Sequence, residues 1–285
     1  MVELVSDVHE IKAQQRAGWD AVSAGWDTAL ETFERGAMSA TRRLLELGGV
    51  REGQTVLDLG TGVGEPALTA ATLVGPSGRV VGLDFSSSML AIARRRGAAL
   101  SNVEFVEGDL EYVDFPERSF DVVLSRWGLM FAVDRSSMFE RLRKIIVPGG
   151  VLAAAVWGPA SSVPMLQLGF EPLVARLELP PPPPGAPGPF SMSDGDQVAH
   201  ELKAAHFSEV SVTEFTVPFR VASMQEYADM TKALTPPSIK NMIKERFGSV
   251  DDPATWKAVG ETVAPYAKNG EISLPSTALC IRAVA

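Results

Sequence analysis

The chain has 285 residues, 46% of them hydrophobic and 21% charged, with a formal net charge of -9. That is enough apolar sequence for one large core or a domain with an elaborated cap, and it excludes wholesale disorder. The acidic balance makes nucleic acid a poor default partner. The two basic clusters, Arg94–Arg96 and Arg141–Lys144, fall on amphipathic stretches and read as solvated helix faces. One cysteine, Cys280, makes neither an internal disulfide nor a thiolate metal cage, and reads as a buried small hydrophobe. The start, MVELVSDVHE, lacks a basic region followed by an apolar stretch, and no apolar run approaches the roughly 18 residues of a membrane span. The expectation is a cytoplasmic chain, monomer or homodimer.

Residues 1–50 read as a helical lid. Ile11, Trp19, Val22, Trp26, Leu30 and Phe33 recur mostly at helical steps; Gly36 punctuates, and a second helix with Leu44, Leu45 and Leu47 ends at Gly48-Gly49. From residue 51 to 158 strands and helices alternate. TVLDL, RVVGLD, NVEFVEGD, SFDVVLSRW and VLAAAVW are the strands. Glu65-Pro66 opens a first helix, Ser87 to Leu100 is a second with Ser86 or Ser87 as N-cap, and Ser136 to Ile146 is a third. Pro148-Gly149-Gly150 turns the chain into the fifth strand. This alternation implies parallel pairing with right-handed crossovers.

Residues 159–222 read as a proline-rich connector followed by a helix and a strand. Pro180 to Pro184 predicts an exposed polyproline stretch. Asp196 to Ala205 is helical and SEVSVTEFTVPF alternates as a strand. Residues 223–270 are helical, interrupted by prolines, and too long for a hairpin loop, so they read as an inserted cap before a final strand in residues 271–285.

The stretch DLGTGVGEPAL spaces its glycines as G-x-G-x-G, at Gly60, Gly62 and Gly64. A dinucleotide fingerprint needs Gly or Ala where Glu65 stands, and a pyrophosphate needs bare amides at the helix start rather than a carboxylate. Asp58 adds a second carboxylate at the strand end. Asp84 ends the second strand, about 20 residues past the loop, where ribose hydroxyls are accepted. Asp109 ends the third, placed to accept from an adenine amino group. A nucleoside with a cationic amino-acid tail and no phosphate fits this set. A nicotinamide oxidoreductase does not.

DLGTGVGEPAL, GLDFSSSML, VEFVEGDLEYVDFP, SFDVVLSRWGLMF and LRKIIVPGGVLAAAVWGP follow in order. Together they resemble the class I S-adenosylmethionine-dependent methyltransferases, particularly the ubiquinone/menaquinone C-methyltransferase-like group. The resemblance is strong from Thr55 to Pro159 and weak beyond. It implies an α/β, Rossmann-like, seven-stranded mostly parallel sheet with helices on both faces, an N-terminal helical lid and a helical cap inserted between the last strands. It also implies S-adenosyl-L-methionine as cofactor, with S-adenosyl-L-homocysteine as product. Asp58, Gly60, Thr61, Gly62 and Gly64 would form the loop around the methionine moiety, with Asp58 acting through water or holding the loop. Asp84 would bind ribose, Asp109 the adenine amino group and the Leu110 amide its ring nitrogen. Phe85 and Met89 flank the adenine or pack the core. Ser125 would approach the methionine amine through its carbonyl. His206 stands where similar sequences often have glycine after a helix, and reads as a surface cap.

Methyl transfer needs alignment first and a general base only where the acceptor loses a proton. His9 is the histidine nearest the lid: a candidate base, or an exposed terminal residue. Arg126 orients an acidic or carbonyl acceptor, or pairs with Asp134. Trp127, Met130 and Phe131 follow the fourth strand and, with Trp19 and Trp26 from the lid, are candidate acceptor contacts or core packing. The three histidines show no metal-ligand spacing, so no metal is expected. The expected acceptor is a small hydrophobic or aromatic molecule. A protein target and a non-catalytic cofactor-binding module are the alternatives.

Overall fold

The computed structural model describes residues 2–112, 114–181, 183 and 185–285, and side chains from residue 8 onward. The region read as two helices is one, α1 (Val2–Gly48). Gly36 does not break it. A Cβ at that position would lie 2.5 Å from the Phe219 ring, so glycine there serves close packing. Its helix penalty of about 1 kcal/mol is outweighed by the apolar surface that α1 buries.

Beyond α1 the expected alternation follows: β1 (Thr55–Leu59), α2 (Ala67–Val74), β2 (Arg79–Asp84), α3 (Ser87–Arg96), β3 (Val103–Glu107), β4 (Phe120–Arg126), α4 (Arg135–Ile145) and β5 (Ile146–Trp157). Ser86 caps α3 by accepting from the Met89 amide at 3.1 Å. Pro148-Gly149-Gly150 is not a turn before β5 but an irregular start within it, where the register to β4 shifts between Phe120 and Val122. Buried strand residues alternate between two cores. Val56, Val80 and Val122 pack with Leu44, Leu45, α2 and α3, whereas Leu57, Val81 and Val123 pack on the opposite face with α4. Helices thus cover both faces of a parallel sheet, as such strands require.

The proline-rich segment holds a helix that composition concealed, α5 (Pro164–Leu177). Pro164 occupies the first turn, where the missing N–H costs nothing, and Met165, Gly169, Leu173 and Leu177 form a buried stripe at four-residue steps. Pro182 and Pro184, part of the expected polyproline stretch, lie outside the described residues. After α6 (Gly195–Ala204), His206 is exposed and left-handed, with φ of 65°. β6 (Ser208–Val221) leads into the cap, made of α7 (Met224–Leu234), α8 (Pro237–Phe247), α9 (Pro253–Glu261) and β7 (Ala267–Lys268). β8 (Glu271–Val284) returns antiparallel between β5 and β6 and buries Cys280. The order is β3-β2-β1-β4-β5-β8-β6, with the two-residue β7 paired beside β8 as an eighth strand. β1 lies between β2 and β4, so chains leave it toward both sides; ligands bind at such a switch point, beyond the carboxyl ends of the strands. Among the described residues no helix is long and apolar enough to cross a membrane.

Candidate functional site

A cavity of about 530 Å³ opens at that switch point, roofed by α1 and walled by α5 and α7. Its floor at one end is the loop after β1. The Gly60 and Thr61 amides both donate to the Leu83 carbonyl, at 2.8 and 3.0 Å, tying the loop to β2. Asp84 completes the tie: one carboxylate oxygen accepts from the Gly62 amide at 2.8 Å, the other from the Ser86 amide at 2.9 Å. Burial pushes its carboxyl up to about 6, against the pull of these amides. Beneath the loop Asp58 is wholly buried and accepts from the Ala67 amide at 3.0 Å, capping α2; burial pushes it up to about 7. It holds the loop from below and does not line the cavity.

Gly60 has φ of 67°, and a Cβ there would stand 3.1 Å from the Gly128 Cα, backbone against backbone. Gly60→Ala is therefore expected to lower stability by about 1–3 kcal/mol, read as an earlier midpoint in urea. An unchanged midpoint would contradict this close approach.

Acidic groups gather at this end. Glu65, Asp84 and Asp109 all line it. Glu65, pushed up by burial, accepts from the Thr69 hydroxyl at 2.7 Å and lies 3.6 Å from the Arg96 guanidinium. Asp109 accepts from the Glu111 amide at 3.0 Å and from Lys12 at 3.2 Å. Arg126, the one arginine among the described lining residues, has its fork filled by Glu34 and donates to the Thr41 hydroxyl at 2.8 Å. This set of carboxylate acceptors repels phosphate and suits a nucleoside with a cationic tail.

The other end is aromatic. Trp127 adopts φ of 61°, a conformation rare for bulky residues, held by its amide donating to the Ala155 carbonyl at 2.7 Å. Its ring stacks on Trp157 at 4.3 Å, with planes 13° apart. Trp19 meets Phe131 edge-on at 5.1 Å, and Trp26 meets Phe33 at 4.9 Å. Met165, Leu166 and Phe170 of α5 and Met230 and Leu234 of α7 close this end.

The cavity brings together Gly60, Thr61, Gly62, Asp84, Phe85, Met89, Asp109 and Leu110, and also Trp19, Trp26, Arg126, Trp127, Met130 and Phe131. It leaves out His9, Gly64 and Ser125 besides Asp58 with its buried carboxylate, and the readings of His9 and of the Arg126 partner need correction. His9 is exposed, nearly a turn before Lys12 and beyond the cavity rim, so the base reading lacks its geometry. Ser125 is buried outside the lining, with its hydroxyl donating to the Leu59 carbonyl at 2.8 Å and pinning β4 to β1; the expectation for this residue concerns its carbonyl, which that bond leaves unengaged. Arg126 pairs with Glu34, not with Asp134, which caps α4 by accepting from the Ser137 amide at 3.0 Å. Gly64, also outside the lining, turns the chain toward α2. Sequence reasoning missed Lys12, Gln15, Phe33, Glu34, Trp157 and the α5 and α7 residues. Lys12 and Gln15 continue the helical stripe of Trp19, Val22 and Trp26, and Trp157 ends β5 as Trp127 follows β4; both signals were available.

Residues 56–150 match the family described as Methyltransferase domain. The chain is 34% identical over 185 residues to the ubiquinone/menaquinone biosynthesis C-methyltransferase UbiE of Ectopseudomonas mendocina, covering 60% of this chain and 72% of that one. It is 32% identical over 168 residues to the same enzyme of Pseudomonas fluorescens, covering 55% and 65%. Across these curated relatives the matched region spans 53–72% of their length. Among solved structures, the chain bound to the Trm112 methyltransferase activator of Haloferax volcanii superposes with a TM-score of 0.57 at 21% identity, covering 95% and 96%. YcgJ of Bacillus subtilis gives 0.56 at 18%, covering 87% and 98%. The [4+2]-cyclase SpnF gives 0.52 at 21%, covering 86% and 80%, so this fold alone does not fix a reaction.

Proposed function

This chain belongs to the S-adenosylmethionine-dependent methyltransferases of the ubiquinone/menaquinone C-methyltransferase group, and from that membership we propose that it methylates a small apolar or aromatic organic acceptor. The observation that carries the reading is one cavity joining a carboxylate-lined nucleoside end to an aromatic end. Bound S-adenosylmethionine supplies a methyl group already activated on a cationic sulfur. Asp84 accepts from the ribose hydroxyls, Asp109 from the adenine amino group, and Phe85 and Met89 flank the base. Glu65 offers negative charge to the cationic tail. Trp127, Trp157 and Phe131 hold the acceptor flat, α1 keeps water out, and the aromatic faces suit a cation beside them. Alignment of this kind contributes up to about 7–11 kcal/mol, and it is what these rigid, mutually packed rings supply.

A pH dependence follows. Ionised, Asp84 accepts on both oxygens; protonated, it gives up one acceptor position. Affinity for S-adenosylhomocysteine is therefore expected to fall as pH drops through about 6. Stability of the ligand-free chain runs the other way. Asp58 and Asp84 titrate above their unfolded value of about 3.9, so their contribution is whole below that value and is lost as pH rises through about 6 and 7. Calorimetric titrations and thermal melts across this range check both slopes, and a flat affinity contradicts the role of Asp84.

The functional test is transfer of labelled methyl from S-adenosylmethionine, by the purified chain, into an extract of its own cells, followed by phase separation. Label in the organic-soluble fraction supports a small apolar acceptor. Label only in acid-precipitable material overturns it in favour of a macromolecular target.

A further inference from the structure

The Asp109 carboxylate does not stand alone at the end of β3. One of its oxygens, Oδ1, takes both the Glu111 amide at 3.0 Å and the Lys12 ammonium at 3.2 Å. Among the described residues that leaves Oδ2 as the oxygen free to accept from a ligand, and Asp109 lines the cavity. The ammonium that sets this orientation comes from α1, 97 residues away in sequence. Lys12 is itself fixed by a second carboxylate, Glu111, which is buried and also accepts from the Val133 and Asp134 amides at 2.8 and 2.7 Å. Next to this pair the contacts of α1 are of two kinds. Arg16 pairs with Glu107 at 2.9 Å on the exposed surface, where such a bond contributes little. Asp20 accepts from the Ser86 hydroxyl at 2.6 Å and the Ser88 amide at 3.1 Å, joining α1 to the start of α3. Of these contacts, only that of Lys12 reaches a carboxylate facing the cavity.

We propose that Lys12 is a positioning residue for base recognition: it turns the Asp109 carboxylate so that the free oxygen reads a purine amino group, and so builds the lid helix into the specificity of the nucleoside site. This rests on the reading that Asp109 meets the adenine. A carboxylate with one oxygen occupied by a cation and an amide cannot rotate to offer a donor in its place, because ionised it has none. It accepts an amino group and repels a carbonyl oxygen. The chain should therefore prefer S-adenosylhomocysteine over its 6-oxo counterpart, S-inosylhomocysteine. Without Lys12 the carboxylate is released from its fixed orientation, and the preference shrinks.

The experiment is calorimetric binding of both ligands to wild type, Lys12→Met, Lys12→Arg and Arg16→Ala. Wild type is expected to favour the adenine form by roughly tenfold or more, the effect of one charge-assisted hydrogen bond. Lys12→Met should lose most of that ratio, chiefly by weakening the adenine form. Lys12→Arg should restore it in good part, and Arg16→Ala, which loosens α1 without touching Asp109, should leave it unchanged. Equal weakening of both ligands in Lys12→Met, or no change in either, would overturn the proposal by showing that Lys12 only holds the lid or does nothing to the base. Failure of wild type to bind S-adenosylhomocysteine, or to discriminate at all, would instead overturn the nucleoside reading on which it stands.

Discussion

Asp84→Ala is expected to weaken S-adenosylhomocysteine binding by at least about 100-fold while the chain still folds. Two losses combine. The alanine removes the acceptors that the ribose hydroxyls would use. It also frees the Gly62 and Ser86 amides, now held at 2.8 and 2.9 Å, so the glycine loop loses its tie to the end of β2. Each hydrogen bond to a charged group contributes about 1.5–3 kcal/mol, so two or three of them account for the loss. Asp84→Asn sharpens the test. The two amides sit on different carboxylate oxygens, so the single carbonyl oxygen of asparagine replaces only one of them, and its NH₂ then faces the other N–H, donor against donor. Asparagine should fail almost as badly as alanine despite its matching size. If calorimetry finds Asp84→Asn within about threefold of wild type, the dual-amide clamp is not what shapes the loop.

The second large effect concerns Arg126→Met. The Arg126 and Glu34 side chains are 5% and 13% exposed, so the pair is nearly shut off from water. Burial works against the Arg126 charge, but Glu34, Glu65 and Asp58 hold it above its ordinary value. Removing the guanidinium leaves Glu34 and the Thr41 hydroxyl without their partner, at the point where α1 meets β4. Stranding one member of such a pair costs about 3–5 kcal/mol. In a chain of this size that is a fall in melting temperature of roughly 5–8 °C. The double variant Glu34→Gln, Arg126→Met should recover much of the loss, because the uncompensated charge is gone. Additive losses in the double variant would show that the two residues act separately.

These two residues differ in how far they could be read ahead. Asp84 stands at a strand end, about 20 residues beyond a glycine loop, and both its place and its chemistry follow from that spacing. Arg126 also follows from its place at the end of β4, but its partner does not. Glu34 is 92 residues away in a helix whose rotation over the sheet no local pattern specifies. His9 shows the same gap: nearness in sequence to the lid residues did not carry it to the cavity.

By itself the sequence determined the alternation of strands and helices, the glycine loop with its acidic surroundings, the cofactor class those residues suit, and the inserted cap before the last strand. Each of these rests on local chemistry: period, turn residues, caps, and charge beside a helix start. Only the tertiary structure decided that Gly36 sits inside one continuous helix, because its reason is the Phe219 ring brought from β6. It alone revealed α5, whose prolines mask a stripe that has meaning only against the cap it packs on. It alone joined Lys12 to Asp109 and Trp127 to Trp157. Those contacts arise from how far apart in sequence two elements are and how they are rotated when their apolar faces are buried together, and no window of neighbouring residues carries that information.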